Sequence, residues 1–256
     1  MSAASNGTRR DSKPIAIIAV VLVAVIGGGA WWMFGRREAP TNVSPKAVTA
    51  TDAAIDSKAA APVNLPPLDQ MDAYLRPLLQ ALTARPEMVR WLATDDLVGQ
   101  LAAAIDRAAG GQSAARDLKA IKPTGAFVTT SKAGRRTIDP KSYARYDSLT
   151  MTVTSIDASK AARLYKTIQP RLNEAYRRLG HPDGNVDTAT ARAIDILIAT
   201  PVISGPIEVV EGGGVGWAYA DPKLEDLEPS QKQLLRMGSA NVDAILTWLR
   251  AFKNAL

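Results

Sequence analysis

Apolar residues recur at helical intervals over most of this chain beyond residue 65. From Asp69 to Ala84, positions Met71, Tyr74, Leu75, Leu78, Leu79 and Leu82 fall three and four apart. That spacing predicts an amphipathic helix, which Pro77 kinks or divides. Pro86 suits the first turn of a short helix carrying Met88, Val89, Trp91 and Leu92. Thr94 then reads as an N-cap, with Asp95 and Asp96 in the first turn of the next helix. That helix buries Leu97, Leu101 and Ile105, reaches Ala109 and stops at Gly110-Gly111. The longest helix is expected between Ala158 and Leu179, capped by Asp157 and bent at Pro170. Another covers Thr188 to Ala199, and one lies near Pro229–Arg236 with Gly238 as its stop. The last starts at Ala240 and carries Val242, Ile245, Leu246, Leu249 and Phe252 as its apolar stripe.

Two stretches break this period. Ala126 to Ile138 reads as a hairpin turning near Ser131-Lys132-Ala133-Gly134, after which helices resume at Pro140. Ile207–Val210 and Trp217–Tyr219 read as a second strand pair. The pattern predicts a mainly α fold with minor β in two short hairpins, forming a single helical domain over residues 69–256.

The N-terminal quarter follows other rules. From Pro14 to Gly35 there is no charged residue, a run of 22 positions, against roughly 20 needed for a helix to cross a bilayer. Nine Ile, Val and Leu residues lie between Ile15 and Ile26. Trp31, Trp32, Met33 and Phe34 close the run and Arg36 and Arg37 follow, as at a membrane interface. A cleaved signal peptide would use Arg9, Arg10 and Lys13 as its basic region and Gly28-Gly29-Ala30 as its cleavage site. Four bulky residues continue beyond that point, so an uncleaved transmembrane helix at residues 14–35 is the expectation, with the lipid bilayer as its partner. Three cations before the helix and two after it favour a cytoplasmic tail at residues 1–13. The C-terminal domain is then expected on the periplasmic or extracellular side of the inner membrane. Residues 36–68 hold five prolines among Ala, Thr, Ser and Lys and no aromatic residue, a composition expected to form a flexible linker. Its 33 residues would span on the order of 30 Å as a coil and about 110 Å when stretched.

Composition removes several chemistries. Cysteine is absent and His181 is the one histidine, which excludes thiol nucleophiles, disulfides, zinc fingers and multi-histidine metal sites. The formal charge of +6 suggests nucleic acid at first sight. Residues 65–256, however, carry 24 Lys and Arg against 21 Asp and Glu, too even a balance for a phosphate-tracking face. No nucleic acid, cofactor or metal is expected.

Candidate sites are few. Gly180-His181-Pro182-Asp183-Gly184 reads as a helix C-cap and turn, and no G-x-S-x-G elbow accompanies it. Gly212-Gly213-Gly214-Val215-Gly216 leads into the strand-like Trp217-Ala218-Tyr219, so it reads as a hairpin loop and not a phosphate cradle. Asp95 and Asp96 read as first-turn acids, the alternative being a carboxylate pair for acid–base work or a metal. A cofactor-independent hydrolase would use carboxylates such as Asp95 or Asp147, with two carboxyls facing one cleft. The richest string is Tyr143-Ala144-Arg145-Tyr146-Asp147. On one helix it would place Tyr143, Tyr146 and Asp147 on a shared face, with Arg145 elsewhere. Tyr and Arg make good binding anchors, but tyrosines with apolar rings and wet hydroxyls also commonly finish a core edge, which is the preferred reading. Lys232 and Arg236 lie one helical turn apart and could receive an anion, although a solvated helix face is the simpler reading.

Several of these strings occur together in the order of a known family. Leu65-Pro66-Pro67-Leu68-Asp69, Trp91-Leu92-Ala93-Thr94-Asp95-Asp96-Leu97, Tyr143-Ala144-Arg145-Tyr146-Asp147, Ala199-Thr200-Pro201-Val202 and Gln231-Lys232-Gln233-Leu234-Leu235-Arg236-Met237-Gly238 resemble the bacterial domain-of-unknown-function 3014 family. Pro77 and the glycine run at 212–214 depart from its usual pattern. The resemblance implies the same layout of membrane segment, proline-rich spacer and C-terminal domain, and carries no catalytic residue with it. The expectation is a membrane-anchored envelope protein whose helical domain is a non-enzymatic module for a protein or cell-wall partner. A periplasmic hydrolase and a small-ligand carrier are the alternatives.

Overall fold

A computed structural model describes residues 64–212 and 216–256 of the chain. The tail expected at 1–13, the bilayer segment at 14–35, almost all of the 36–68 linker and residues 213–215 of the glycine loop lie outside the described residues. Among the described residues no helix is long and apolar enough to cross a membrane.

The centre of the domain is α3 (Leu97–Ala109), which buries eight of its residues, from Leu97 and Val98 round to Ala108 and Ala109. A helix apolar on so much of its surface is stable only when neighbours enclose it. Here α6 (Ala158–Arg178) and α7 (Val186–Ile198) do so, and α10 (Ser239–Ala255) packs on both of them. The α10 stripe is buried as its spacing predicts, and Trp248 joins it, stacked on Phe252 at 5.4 Å with its indole Nε1 donating to Ile156 O. Asp157 and Asn185 cap α6 and α7 by accepting the N–H groups of Lys160 and Asp187 at 2.7 Å.

At the N-terminal edge α1 (Met71–Gln80) ends four residues short of the expected Ala84. Pro77 lies inside it, where the missing N–H and the ring's pressure on the preceding turn weaken the helix. The helix α2 (Pro86–Leu92) starts on proline as expected. The cap of α3 differs from the expected Thr94. Asp96, at φ 57°, holds the N-cap position and accepts from Gly99 N, while Asp72 of α1 accepts the N–H groups of Asp96 and Leu97 at 2.7 and 2.9 Å. Thr94 turns its hydroxyl back to Trp91 O instead. A carboxylate reaching across from another helix satisfies these donors better than a local hydroxyl, and sequence spacing does not reveal it.

The β structure is minor. β1 (Thr129–Lys132) and β2 (Arg135–Ile138) form one antiparallel hairpin, and β3 (Val209–Glu211) and β4 (Trp217–Tyr219) the other. They meet where Ile138 N donates to Ile207 O and Thr137 faces Glu208. Ile138, Ile207, Val209, Tyr219 and Leu235 form a small second core beneath them. Gly212 N donates to Gly216 O next to the β3–β4 pairing. The fold is mainly helical with two small hairpins.

Between the first hairpin and α6, helix α4 (Pro140–Ala144) ends before α5 (Asp147–Thr154) begins. Tyr143, Tyr146 and Asp147 therefore do not share one helical face, contrary to the spacing. Tyr146 N donates to Tyr143 O in the turn between the helices, which rotates the following segment. Short helices α8 (Pro222–Glu225) and α9 (Pro229–Leu235) then lead into α10.

Candidate functional site

A concavity with a distinct chemistry lies between α9 and the irregular segment that follows α3. Gly111 leaves α3 in the left-handed region at φ +71°. The chain then forms two 3-10 turns, Ala114–Arg116 and Lys119–Ile121. Leu118 and Ile121 are buried and Asp117 pairs with Arg107 of α3, which pins the segment. Arg116, Lys119 and Lys122 are left exposed on its other side. Opposite them, Ser230 N donates to Gly111 O and Gln231 Nε2 to Ile196 O, fixing α9 against α3 and α7. Lys232 and Arg236 consequently face Arg116, Lys119 and Lys122 across a cavity of about 700 Å³. Glu225 is the one carboxylate in its wall.

Each inner cation is positioned. Lys232 Nζ donates to Glu225 Oε1 at 2.9 Å and to Glu225 O at 2.8 Å. The other oxygen of that carboxylate accepts Tyr219 N at 2.8 Å. Burial pushes the Glu225 carboxyl up. The Tyr219 N–H, the Lys232 ammonium and the Arg236 charge outweigh that effect and hold it below the usual glutamate value. Arg236 Nη2 donates to Trp217 O at 2.9 Å, with its guanidinium 5.4 Å from the Phe127 ring and 6.0 Å from that of Tyr219. The Tyr219 hydroxyl donates to Lys232 O, and burial raises its pKa far above the ordinary tyrosine value. Lys232 and Arg236 are thus not simply a solvated helix face.

The Tyr143–Asp147 string borders this site from behind. Arg145 lies over the Tyr146 ring at 5.4 Å and near Phe127 at 6.0 Å, so Phe127 has two arginine neighbours. Arg145 also donates to Gly125 O at 2.9 Å. Tyr146 is fully buried, and its hydroxyl accepts from Gln233, a residue of the cavity wall, at 2.8 Å. Tyr143 is half-buried, its hydroxyl raised in pKa by burial and partly offset by the Ile207 backbone. Asp147 accepts from Asn241 of α10 at 2.8 Å and lies away from the cavity wall. Of the six residues singled out, Lys232 and Arg236 line the cavity, Arg145 and Tyr146 support it, and Tyr143 and Asp147 tie neighbouring segments together.

Arg116, Lys119, Lys122 and Glu225 escaped sequence reasoning. The first three fall in a stretch with no apolar period, and the only available signal was their spacing of three residues. Asp95 lines a different cavity of about 660 Å³, with Asp69, Asp72, Asp96 and the cations Arg76 and Arg178. Asp147 is not in that wall, whereas Asp95 shares it with three other carboxylates. His181 shares a hydrogen bond with Asp106 of α3 at 2.8 Å and stacks on Tyr176 at 4.6 Å, closing the α6–α7 turn. Among the described residues no three His, Asp or Glu side chains gather as a metal-binding group.

No curated protein and no solved structure matches the chain. Residues 97–253, from the first residue of α3 to the last turn of α10, match the model of the family described as Protein of unknown function (DUF3014), and the chain belongs to that family.

Proposed function

We propose that this chain is a single-pass envelope protein whose helical domain is a non-enzymatic binding module. In this reading residues 1–13 stay in the cytoplasm, residues 14–35 cross the inner membrane and residues 36–68 are the spacer. The domain then searches the periplasmic space within the linker's reach for a partner that carries negative charge. The observation that supports the binding reading is the cavity of about 700 Å³ with five cations and a single carboxylate in its wall. A cavity of this size lies in the range of ligand sites, and unneutralised charge gathered in a concave wall attracts counter-charge.

The test is crosslinking in intact cells followed by capture of the full chain through a C-terminal tag. A specific envelope partner is expected with the wild-type chain, and its recovery should fall in a variant carrying Arg116→Ala, Lys119→Ala and Lys122→Ala. All three side chains are exposed, so the variant keeps the core intact. Recovery of the protein alone, or of the same partner with both chains, counts against the reading.

A further inference from the structure

We infer that the cavity between the 113–122 segment and α9 takes a phosphoryl-rich polyanion, with Glu225 as a built-in counter-ion that the ligand displaces from Lys232. The inference rests on the binding reading above and names the class of ligand. No ion pair among the described residues involves Arg116, Lys119 or Lys122. Three cations in one wall are therefore unneutralised, and Lys232 joins them when Glu225 lets go. One carboxylate would answer only one of these charges. A terminal phosphoryl group supplies about −1.5 to −2 charges and three acceptor oxygens, and each further group linked to it adds charge within the same cavity.

The donor set fits that chemistry. Arg116 and Arg236 offer planar forks that can take two oxygens at once, and the three lysines act as point charges around them. The remainder of the wall is small: Ser113, Ala115 and Pro229, with Gln233 at its base. Among the described residues no aromatic ring lines the cavity. Phe127 and Tyr219 are already covered by Arg236, and Phe127 by Arg145 as well. A nucleobase would find no stacking platform here, so the contacts favour the phosphoryl chain itself over a nucleotide.

Glu225 has the geometry of a place-holder. Oε1 holds Lys232 at 2.9 Å while Oε2 is fixed by Tyr219 N, so the carboxylate competes with an incoming anion for the same ammonium. Glu225→Gln keeps an oxygen for Tyr219 N and turns an uncharged amide towards Lys232. A purely structural pair would leave anion binding unchanged or weaker on this substitution. A counter-ion makes binding stronger.

The experiment is titration calorimetry of the full chain in non-ionic detergent, with sodium tripolyphosphate as the probe and citrate as the carboxylate control. Tripolyphosphate is expected to bind one per chain, at least about tenfold tighter than citrate, since one extra charge-assisted contact is worth that much. Lys122→Ala should weaken it about tenfold. Glu225→Gln should tighten it about threefold, the size of a part-exposed pair. Unchanged circular dichroism shows that the variants are folded. Equal affinity in phosphatidylglycerol and zwitterionic nanodiscs places the natural phosphoryl group on a soluble molecule. Weaker apparent binding in phosphatidylglycerol nanodiscs places it on a lipid headgroup competing for the cavity, and both results support the phosphoryl site. Equal or tighter binding of citrate overturns the phosphoryl class and leaves the binding module standing. No heat from either anion overturns the polyanion site, while the binding module stands or falls on the crosslinking above. Unchanged or weaker binding by Glu225→Gln removes the counter-ion role.

Discussion

Gln233 Nε2 donates to the hydroxyl of Tyr146 at 2.8 Å across two buried residues that lie 87 positions apart. The bond joins the turn between α4 and α5 to the helix that carries Lys232 and Arg236, so the cavity wall is anchored in the core. Tyr146→Phe keeps the ring and strands the Gln233 amide, and is expected to cost about 1–2 kcal/mol. Tyr146→Ala also leaves a large cavity in a fully buried position and should cost about 3–5 kcal/mol. Denaturant melts of the two variants check both values. An exposed binding anchor would instead show near-wild-type stability in both.

Gly238 makes a sharper demand on sequence. It sits at φ +79° ahead of α10, and a Cβ there would lie 2.6 Å from Cγ of Tyr143. Gly134 has a similar φ of +76° in the β1–β2 turn, but a Cβ there would meet nothing within 4 Å. Gly134→Asn is expected to cost under about 1 kcal/mol, because asparagine tolerates this region. Gly238→Ala adds backbone strain to a clash with a half-buried ring and should cost about 2–4 kcal/mol. Thermal unfolding of the pair compares a glycine whose replacement meets both strain and a clash with one whose replacement meets neither severely.

How far the sequence foretold this molecule depends on what each segment answers to. The helix carrying Val242, Ile245, Leu246, Leu249 and Phe252 was legible because its period reports burial directly. So were the Asp157 cap and both hairpins, whose signals are local. The α3 cap was not, since Asp72 comes from another helix. Nor was the break at Arg145-Tyr146, where the pull of Gln233 and Asn241 from the C-terminal segment decides the local path. Lys232 and Arg236 could be named as an anion pair from their spacing. Arg116, Lys119 and Lys122 could not be added to them, because only the packing of Leu118, Ile121 and Asp117 turns that segment towards α9.

Acid stability follows from Glu87, a carboxylate only 6% exposed. Burial pushes its pKa up, but hydrogen bonds from Ser148, its own backbone and Thr152, with the Arg90 charge, outweigh that and hold it below the usual 4.5. A depressed carboxyl contributes stability that is fully present above its unfolded value and is lost as pH falls through the folded one. The wild-type chain is therefore expected to lose part of its stability below about pH 4.5 through this group. Glu87→Gln should be less stable than wild type at pH 7, by about 1–3 kcal/mol for a broken charged network, and the gap should narrow towards pH 3. Denaturant midpoints at the two pH values measure it. A gap that stays constant shows that Glu87 is not the group responsible.

The proposed topology makes the last prediction, and it rests on a small margin. Arg9, Arg10 and Lys13 precede the apolar run, and Arg36 and Arg37 follow it. Cations near a membrane helix stay on the cytoplasmic side, and here the bias is one charge. Alkaline phosphatase fused after Leu256 is expected to be active, because that enzyme needs the oxidising side of the membrane. Replacing Arg9 and Arg10 with alanine leaves one cation before the run and two after it. The same fusion should then lose most of its activity while a cytosolic reporter at that position gains it. An active phosphatase in both chains would show that charge asymmetry does not set the orientation, and a silent one in the wild type would place the basic cavity in the cytoplasm.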